Sequence, residues 1–418
     1  MTVLISGAGI AGLTLGLTLQ ELGIPFHIFE STKTLKPMGV GINLQPNAVR
    51  ELFDLGLEAP LSAIGVRTRQ LGFYSKRGHT IWEEPRGQAA GYHWPQFSVH
   101  RGALQMMLYH ALLERAGPSV ITTGARAVGY VHEEQGVALR LEDGSTHLGR
   151  LLIGANGIHS AIRAQMYPEE GAPIWNGRTL WRATTRAPVF HGGAAMAMIG
   201  HDHLRLVAYP ISQPDADGQA TINWIAEKQI HQTAAQAGAN WSRAAEANDI
   251  LPDFASWTFD WLDVPALIRG AEVIYDYPMV DRDPLPTWQD GAVSLMGDAA
   301  HPTYPVGSNG ASQAIVDARI IGAQMLRHGI TSTALSAYEA EVRPTTTAVA
   351  QANRAGGGPD GILQQVEDLC GGEFTDINTV IPHEDLANHA AKYKSIAGFS
   401  IEALNARPKT LPPGARIG

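Results

Sequence analysis

The sequence predicts an α/β chain: a Rossmann-like dinucleotide-binding domain, an inserted mixed or antiparallel β-sheet that would bind substrate, and a C-terminal helical extension. Three observations carry that expectation. A short apolar run, Val3 to Ile5, leads into Gly7-Ala8-Gly9-Ile10-Ala11-Gly12 and a helical pattern reaching Leu22. A second run, Val293 to Met296, ends in Gly297-Asp298 and a Gly/Pro-rich loop, with a helical pattern from near Ala311. Between residues 175 and 280 the texture changes, and strand-like runs with aromatic residues dominate.

In chain order, the glycines come first. They follow a strand and open a helix, and each has a physical task there. The first makes a tight turn, the second lets backbone approach a pyrophosphate, and the third allows close helix–strand packing. A second strand, Phe26 to Phe29, ends in Glu30, where an acid holds a ribose hydroxyl in such folds. A secretory signal is the competing reading of this stretch. It fails because the stretch has no basic n-region, three glycines interrupt it, and no small-residue cleavage site stands apart from the helix.

Residues 36–47, KPMGVGINLQPN, form a Gly/Pro-rich loop before a helical pattern from Ala48 to Leu55. Residues 70–83 suggest a hairpin turning at Lys76-Arg77-Gly78. His100-Arg101-Gly102 precedes an amphipathic helix, Ala103 to Arg115. Strands are expected at Ala127 to His132 and Val137 to Leu141, and Leu151 to Ile153 runs into Gly154-Ala155-Asn156-Gly157. In the insert, Leu204 to Ile211 and Ala220 to Ala226 read as strands, and a helical pattern resumes at Trp241. Residues 311–354 are strongly helical, GGGPDG at 356–361 is a break, and a helical, Pro-ended segment follows. The expected divisions are therefore 1–174 and 281–355 for the nucleotide-binding domain, 175–280 for the substrate sheet and 356–418 for the extension.

At 418 residues, with 44% hydrophobic and 17% charged residues, the chain can bury a large core. No apolar run approaches the roughly 18 residues of a membrane span, so none is expected. A net charge of -9 without a basic cluster argues against nucleic acid as a partner. The single cysteine, Cys370, excludes an intramolecular disulfide and a cysteine metal site, and the cytoplasm is the simplest location. The 16 histidines are scattered, and the one close pair, His201-Asp202-His203, has no third ligand suggested, so no metal is expected.

Three motifs in order, G-x-G-x-x-G with Glu30, the G-x-[DN]-G segment Gly154–Gly157, and Gly297-Asp298, resemble the single-component FAD-dependent aromatic hydroxylases of para-hydroxybenzoate hydroxylase-like fold. The wording GVGINLQPNAV, HRGALQ, RLVAYPIS, YPMVDRDPLP and YPVGSNGASQAI is similar to the phenazine monooxygenases of that family, and the likeness ends near Gly356. The resemblance implies FAD as cofactor, NAD(P)H as electron donor, and O2 and a small aromatic molecule as partners. It places Gly7, Gly9 and Gly12 under the pyrophosphate, Glu30 on the adenosine ribose and Val128 against the adenine. Arg101 would pair with the pyrophosphate, with Gln105 on the following turn. Val40 and Gly41 would lie beside the isoalloxazine, and Asp298 would accept the ribityl hydroxyl. Pro305, Gly307, Asn309, Gly310 and Ala311 would follow the flavin. Arg101 as a plain surface residue and Val128 as core are the alternatives. One position departs from the family, which usually has Asp where this chain has Asn156; the amide loses the charge and gains a donor.

The implied reaction is hydroxylation of an aromatic or N-heteroaromatic ring through a C4a-hydroperoxyflavin, with or without decarboxylation. The chain must then orient the ring, exclude water and activate a substrate hydroxyl or ring nitrogen. Tyr209, His203 and Trp224 are the candidates for contact with substrate, each with a plain alternative as core aromatic or satisfied histidine. Arg182 and Arg205 could hold a carboxylate bidentately or form surface salt bridges. His301 and Tyr304 are expected at the pocket entrance. A non-catalytic or sensor flavoprotein is the alternative function. A flavin-dependent halogenase is disfavoured, since W-x-W-x-I-P is absent.

Overall fold

The structure is a computed structural model that describes residues 2–230, 243–355, 358, 360–396, 398 and 400–417, with backbone alone for 243 and 392–396. Its first sheet has six strands in the order Gln289–Asp290, Val293–Leu295, Leu151–Gly154, Val3–Ser6, Phe26–Glu30 and Ile121–Thr123. All neighbours are parallel except the edge pair formed by Gln289–Asp290 and Val293–Leu295. Val3–Ser6 is buried along its whole length, as an apolar run in a sheet covered on both faces should be. The Ile10–Glu21 helix packs between the sheet and the helices Arg101–Ala116 and Gly310–His328. It is buried from Ile10 to Leu19, so no amphipathic stripe shows in its sequence.

The second sheet has eight strands: Arg243–Ala245, Ile274–Asp281, Ile174–Pro188, Gln219–Gln229, Leu204–Pro210, Ala195–His201, Gln70–Tyr74 and Thr80–Pro85. The expected hairpin at 70–83 is present, and it adds to this sheet through a parallel pairing of Gln70–Tyr74 with Ala195–His201. The sheet therefore draws strands from outside 175–280. The helical pattern expected from Trp241 begins outside the described residues; where these resume, Arg243–Ala245 is a strand of the second sheet, and the helix follows only at Ala247–Phe254. The 311–354 stretch forms two helices, Gly310–His328 and Ser332–Arg354, separated at Gly329 with φ +73.

Side-chain alternation divides the second sheet into two covered faces. On one, Trp224, Ile222, Ala226 and Leu206 pack with Ile250, Phe254 and Leu267 of two short helices. On the other, Leu180, Val207, Tyr209 and Ile225 join Tyr304 and the C-terminal residues Ile362, Leu363 and Val366. The extension folds as helices Gly361–Cys370, His383–Ile396 and Ile401–Ala406. No helix among the described residues is long and apolar enough to cross a membrane.

Candidate functional site

The three glycines near the N-terminus differ in what constrains them. Gly7 has φ +110, and a Cβ there would lie 2.6 Å from the Ala155 carbonyl oxygen. At Gly12 it would lie 2.0 Å from the Gly7 oxygen. At Gly9 it would meet nothing within 4 Å. The protein's own packing thus demands the first and third, while the second leaves an open approach to a helix N-terminus. That helix has no side-chain cap and no acid in its first turn, so its amides suit an anion. The loop is braced from two sides. The Gln105 amide donates to the Ala8 carbonyl (2.8 Å), and the Ala8 N–H donates to Glu30 Oε2 (2.7 Å). Thr32 N–H donates to the other oxygen of this buried carboxylate at 2.7 Å.

Ala125 N–H donates to the Glu30 carbonyl, bringing the start of the Ala127–Glu133 strand alongside. Val128 on that strand is 43% exposed, which excludes a core role. Arg101 is also exposed. Its N–H donates to the Val40 carbonyl at 2.9 Å, which ties the helix start to the 36–41 loop.

Parallel pairing of Val3–Ser6 with Leu151–Gly154, and of the latter with Val293–Leu295, brings Gly7, Asn156 and Asp298 to one carboxyl edge, the usual ligand side of such a sheet. Asp298 is exposed, although the protein around its carboxylate displaces water. Desolvation raises its pKa, against the opposing pull of His301 and Arg101. A Cβ on Gly310 would lie 3.8 Å from Asp298 Oδ1, so the acid faces the start of the Gly310–His328 helix. The loop between them, Pro305 to Ala311, is half-buried or exposed, with Ser308 at φ +57 and Gly307 at φ +72. Gln45 holds it through Gly307 (3.1 Å) and Ser312 (2.9 Å).

Two residues without a sequence signal fix this turn. Arg163, fully buried, donates to the carbonyls of Ala299 (3.0 Å), Ala300 (2.9 Å) and Asp283 (3.1 Å). Asp317, also fully buried, accepts from Gly297 N–H (2.9 Å), the His301 ring (2.7 Å) and Gln313 (2.9 Å). Burial disfavours a charged His301, but the Asp317 carboxylate outweighs it and raises the imidazole pKa. The expectation of His301 at a pocket entrance is corrected. Its side chain is 8% exposed and its ring lies 5.1 Å from that of Trp288. Tyr304 is likewise inside, in one apolar cluster with Tyr209.

Across from this edge stands the second sheet. Tyr209 and Asn223 are cross-strand partners on one face. Asn223 Oδ1 accepts from Gly41 N–H at 2.6 Å, and Arg182 donates to the Gly41 carbonyl at 3.1 Å. A Cβ on Gly41 would fall 2.6 Å from the Asn223 side chain, so close approach explains the glycine. Asn223 has no motif to mark it. Removing the amide strands a buried N–H, so Asn223→Ala is expected to cost about 1–3 kcal/mol in denaturant unfolding. Arg182 pairs with no carboxylate among the described residues, and its buried Nε has no partner. Burial lowers its pKa, while the facing Tyr209 and Tyr277 hydroxyls act the other way. Burial pushes the Tyr209 hydroxyl up to about 12.

Three other sequence candidates lie elsewhere. Trp224 alternates to the far face, where its indole donates to Thr185 Oγ1 at 3.0 Å. His203 is exposed at a hairpin turn beside Gln229 (2.6 Å), about 20 Å along the strand from Tyr209. Arg205 is neither a surface bridge nor free for substrate, being buried in ion pairs with Glu227 and Asp360.

The residues present suit a flavin dinucleotide. A Cβ on Gly9 would project into its cradle, Arg101 and Val128 are open to it, and the buried Asn156 Oδ1 at the same edge has no partner. The profile of the FAD binding domain family matches residues 1–353. Phenazine 1,6-dicarboxylic acid hydroxylase PhzS of Lysobacter antibioticus is 43% identical over 361 residues, covering 84% of this chain and 89% of that protein. Aurachin C monooxygenase/isomerase of Stigmatella aurantiaca is 32% identical, covering 81% and 84%. Among solved structures, Klebsiella pneumoniae HpxO complexed with FAD and uric acid shares the fold, with TM-score 0.71, 21% identity, and 95% and 92% covered.

Proposed function

We propose, from the premise that the chain belongs to the FAD binding domain family of flavin-dependent aromatic monooxygenases, that it hydroxylates a carboxylate-bearing aromatic or N-heteroaromatic ring. The observation that carries the carboxylate is Arg182, a largely buried guanidinium without an acidic partner among the described residues. It sits between the Gly41 loop and the Tyr209 face. A fork of donors there suits a planar anion. The hydroxylase of a phenazine dicarboxylic acid among the relatives supports the same chemical class.

In this reading Gly7, Gly9, Gly12 and Arg101 hold the FAD pyrophosphate, Glu30 the ribose, Val128 the adenine and Asp298 the ribityl chain. Val40, Gly41 and the loop from Pro305 through Gly307, Asn309 and Gly310 to Ala311 border the ring. Gln105 acts one step back, on the Ala8 carbonyl. Residues 1–174 and 281–355 then form the cofactor domain, and the second sheet forms the substrate wall. Bound FAD, reduced by NAD(P)H, supplies the activation of O2. Tyr209 remains a neutral hydroxyl at physiological pH, so it orients a substrate hydroxyl or ring nitrogen by hydrogen bonding rather than by taking its proton as a phenolate. A consumer of NAD(P)H fits the cytoplasm.

The test is NAD(P)H oxidation under air with a panel of aromatic and heteroaromatic acids. Ring-stimulated oxidation with a hydroxylated product is expected, whereas a sensor flavoprotein would show none. Arg182→Gln is expected to raise KM for carboxylated rings at least tenfold, since an unpaired buried charge costs about 2–5 kcal/mol. Rings without a carboxylate should be little affected. Equal losses for both kinds of ring would remove Arg182 as the anchor.

A further inference from the structure

We propose that residues 358 and 360–386, beyond the stretch the family profile spans, form the ceiling of the aromatic site and set which rings fit it. The proposal rests on the hydroxylase reading and deepens it.

The segment arrives at the site through two close contacts. A Cβ on Gly358 would lie 2.5 Å from Val306 Cγ1 on the flavin-side loop, so the chain passes directly over that loop. Two residues later Asp360 bonds the buried Arg205, whose Nε also donates to Glu227 at 3.0 Å. Arg205 shares its strand and its face with Tyr209, roughly 13 Å away at strand spacing. The ion pair therefore anchors the Gly361–Cys370 helix on this face of the sheet, where it packs against Ala195–His201 and Thr80–Pro85.

Two further ties hold the helix along its length. Asp202 N–H donates to Gln364 Oε1 at 2.9 Å, and Lys76 pairs with Glu367. Along these polar ties the helix turns one apolar stripe inward. Ile362, Leu363 and Val366 are essentially inaccessible and belong to one apolar cluster with Tyr209 and Tyr304. Spacing of one and three places them on one side of a helix. These ties lie at the hairpin-turn end of the sheet, so the aliphatic side chains would close the apolar end of a site whose polar groups point the other way, toward Arg182 and Tyr209. The ties fix the position of the helix, and the aliphatic side chains fix the size of ring that fits. Asp360 is thus a positioning residue, and Leu363 and Val366 determine specificity.

Titration of flavin absorbance with one-, two- and three-ring aromatic acids reads ring affinity without turnover. Leu363→Ala and Val366→Ala are expected to shift the affinity ratio about tenfold toward larger rings, the scale set by methylene-sized changes in an apolar pocket. Leu363→Phe should shift it toward one-ring acids. Asp360→Asn should raise KM about tenfold and oxidise more NAD(P)H without product, with kcat less affected and Asp360→Glu restoring much of both. FAD content measured on each variant separates misfolding from altered fit, and the Asp360 pair carries the test where a Leu363 variant fails to fold. Wild-type ring ratios in every FAD-replete variant would overturn the ceiling and leave the hydroxylase reading intact. A wild-type protein that neither binds nor hydroxylates any ring would overturn both.

Discussion

Gly12→Ala is expected to give a colourless protein that also unfolds at lower denaturant in the absence of FAD. The added methyl would lie 2.0 Å from the Gly7 carbonyl oxygen, which is backbone and cannot swing aside. Overpacking of this kind costs about 1–3 kcal/mol, occasionally more, and here the atoms forced to move are those of the cofactor loop. Gly9→Ala separates the two effects, because beyond the adjoining residues no protein atom lies within 4 Å of its added methyl. Its apoprotein should unfold within about 0.5 kcal/mol of wild type, while its FAD affinity falls by at least tenfold. The measurements are urea unfolding of FAD-free protein and absorbance near 450 nm on reconstitution. A Gly12→Ala protein with full flavin content and unchanged stability would refute the packing argument.

Asp317→Asn is expected to cost about 3–5 kcal/mol at slightly acidic pH, the usual loss when one member of a buried ion pair is removed. The introduced amide would still accept from Gly297 N–H but would leave the His301 imidazolium buried without its counter-charge. The pH dependence has a definite sign. Because Asp317 raises the His301 pKa in the folded state, the pair's contribution is complete below the unfolded histidine pKa of about 6.5. It is lost as pH rises through the higher folded value. The stability gap between wild type and Asp317→Asn should therefore be widest near about pH 6 and narrow toward alkaline pH. Denaturant melts across that range check it, and a gap that widens with pH would overturn the assignment.

The parts of the site that can be read in the sequence are those whose geometry is local. Gly7 to Glu30 encodes a turn, a helix start and an acid within one β-α-β unit, and Gly297-Asp298 encodes a strand end and turn. Asn223, Arg163 and Asp317 act on carbonyls or amides elsewhere in the chain, in the case of Asn223 and Gly41 across 182 positions. No spacing rule reaches that far. Trp224 reads as a substrate-face residue because the run Ala220 to Ala226 carries no clear alternation. Both faces of that sheet are covered, so polar–apolar alternation, the signal that separates faces, is absent there. His203 misleads for a different reason, as the His201–His203 pair spans a turn, where strand alternation does not apply.

The parallel pairing of Gln70–Tyr74 with Ala195–His201 constrains how the chain can be made. During synthesis the hairpin at 70–85 emerges more than a hundred residues before its partner strand, and the Leu151–Gly154 edge waits equally long for Val293–Leu295. The hairpin edge is therefore left unsatisfied on the nascent chain until residue 199 is made, and the Leu151–Gly154 edge until residue 295 of the 418. Such late, non-local closure slows folding and exposes strand edges to aggregation. Each sheet thus closes only after a partner strand made more than a hundred residues later has emerged.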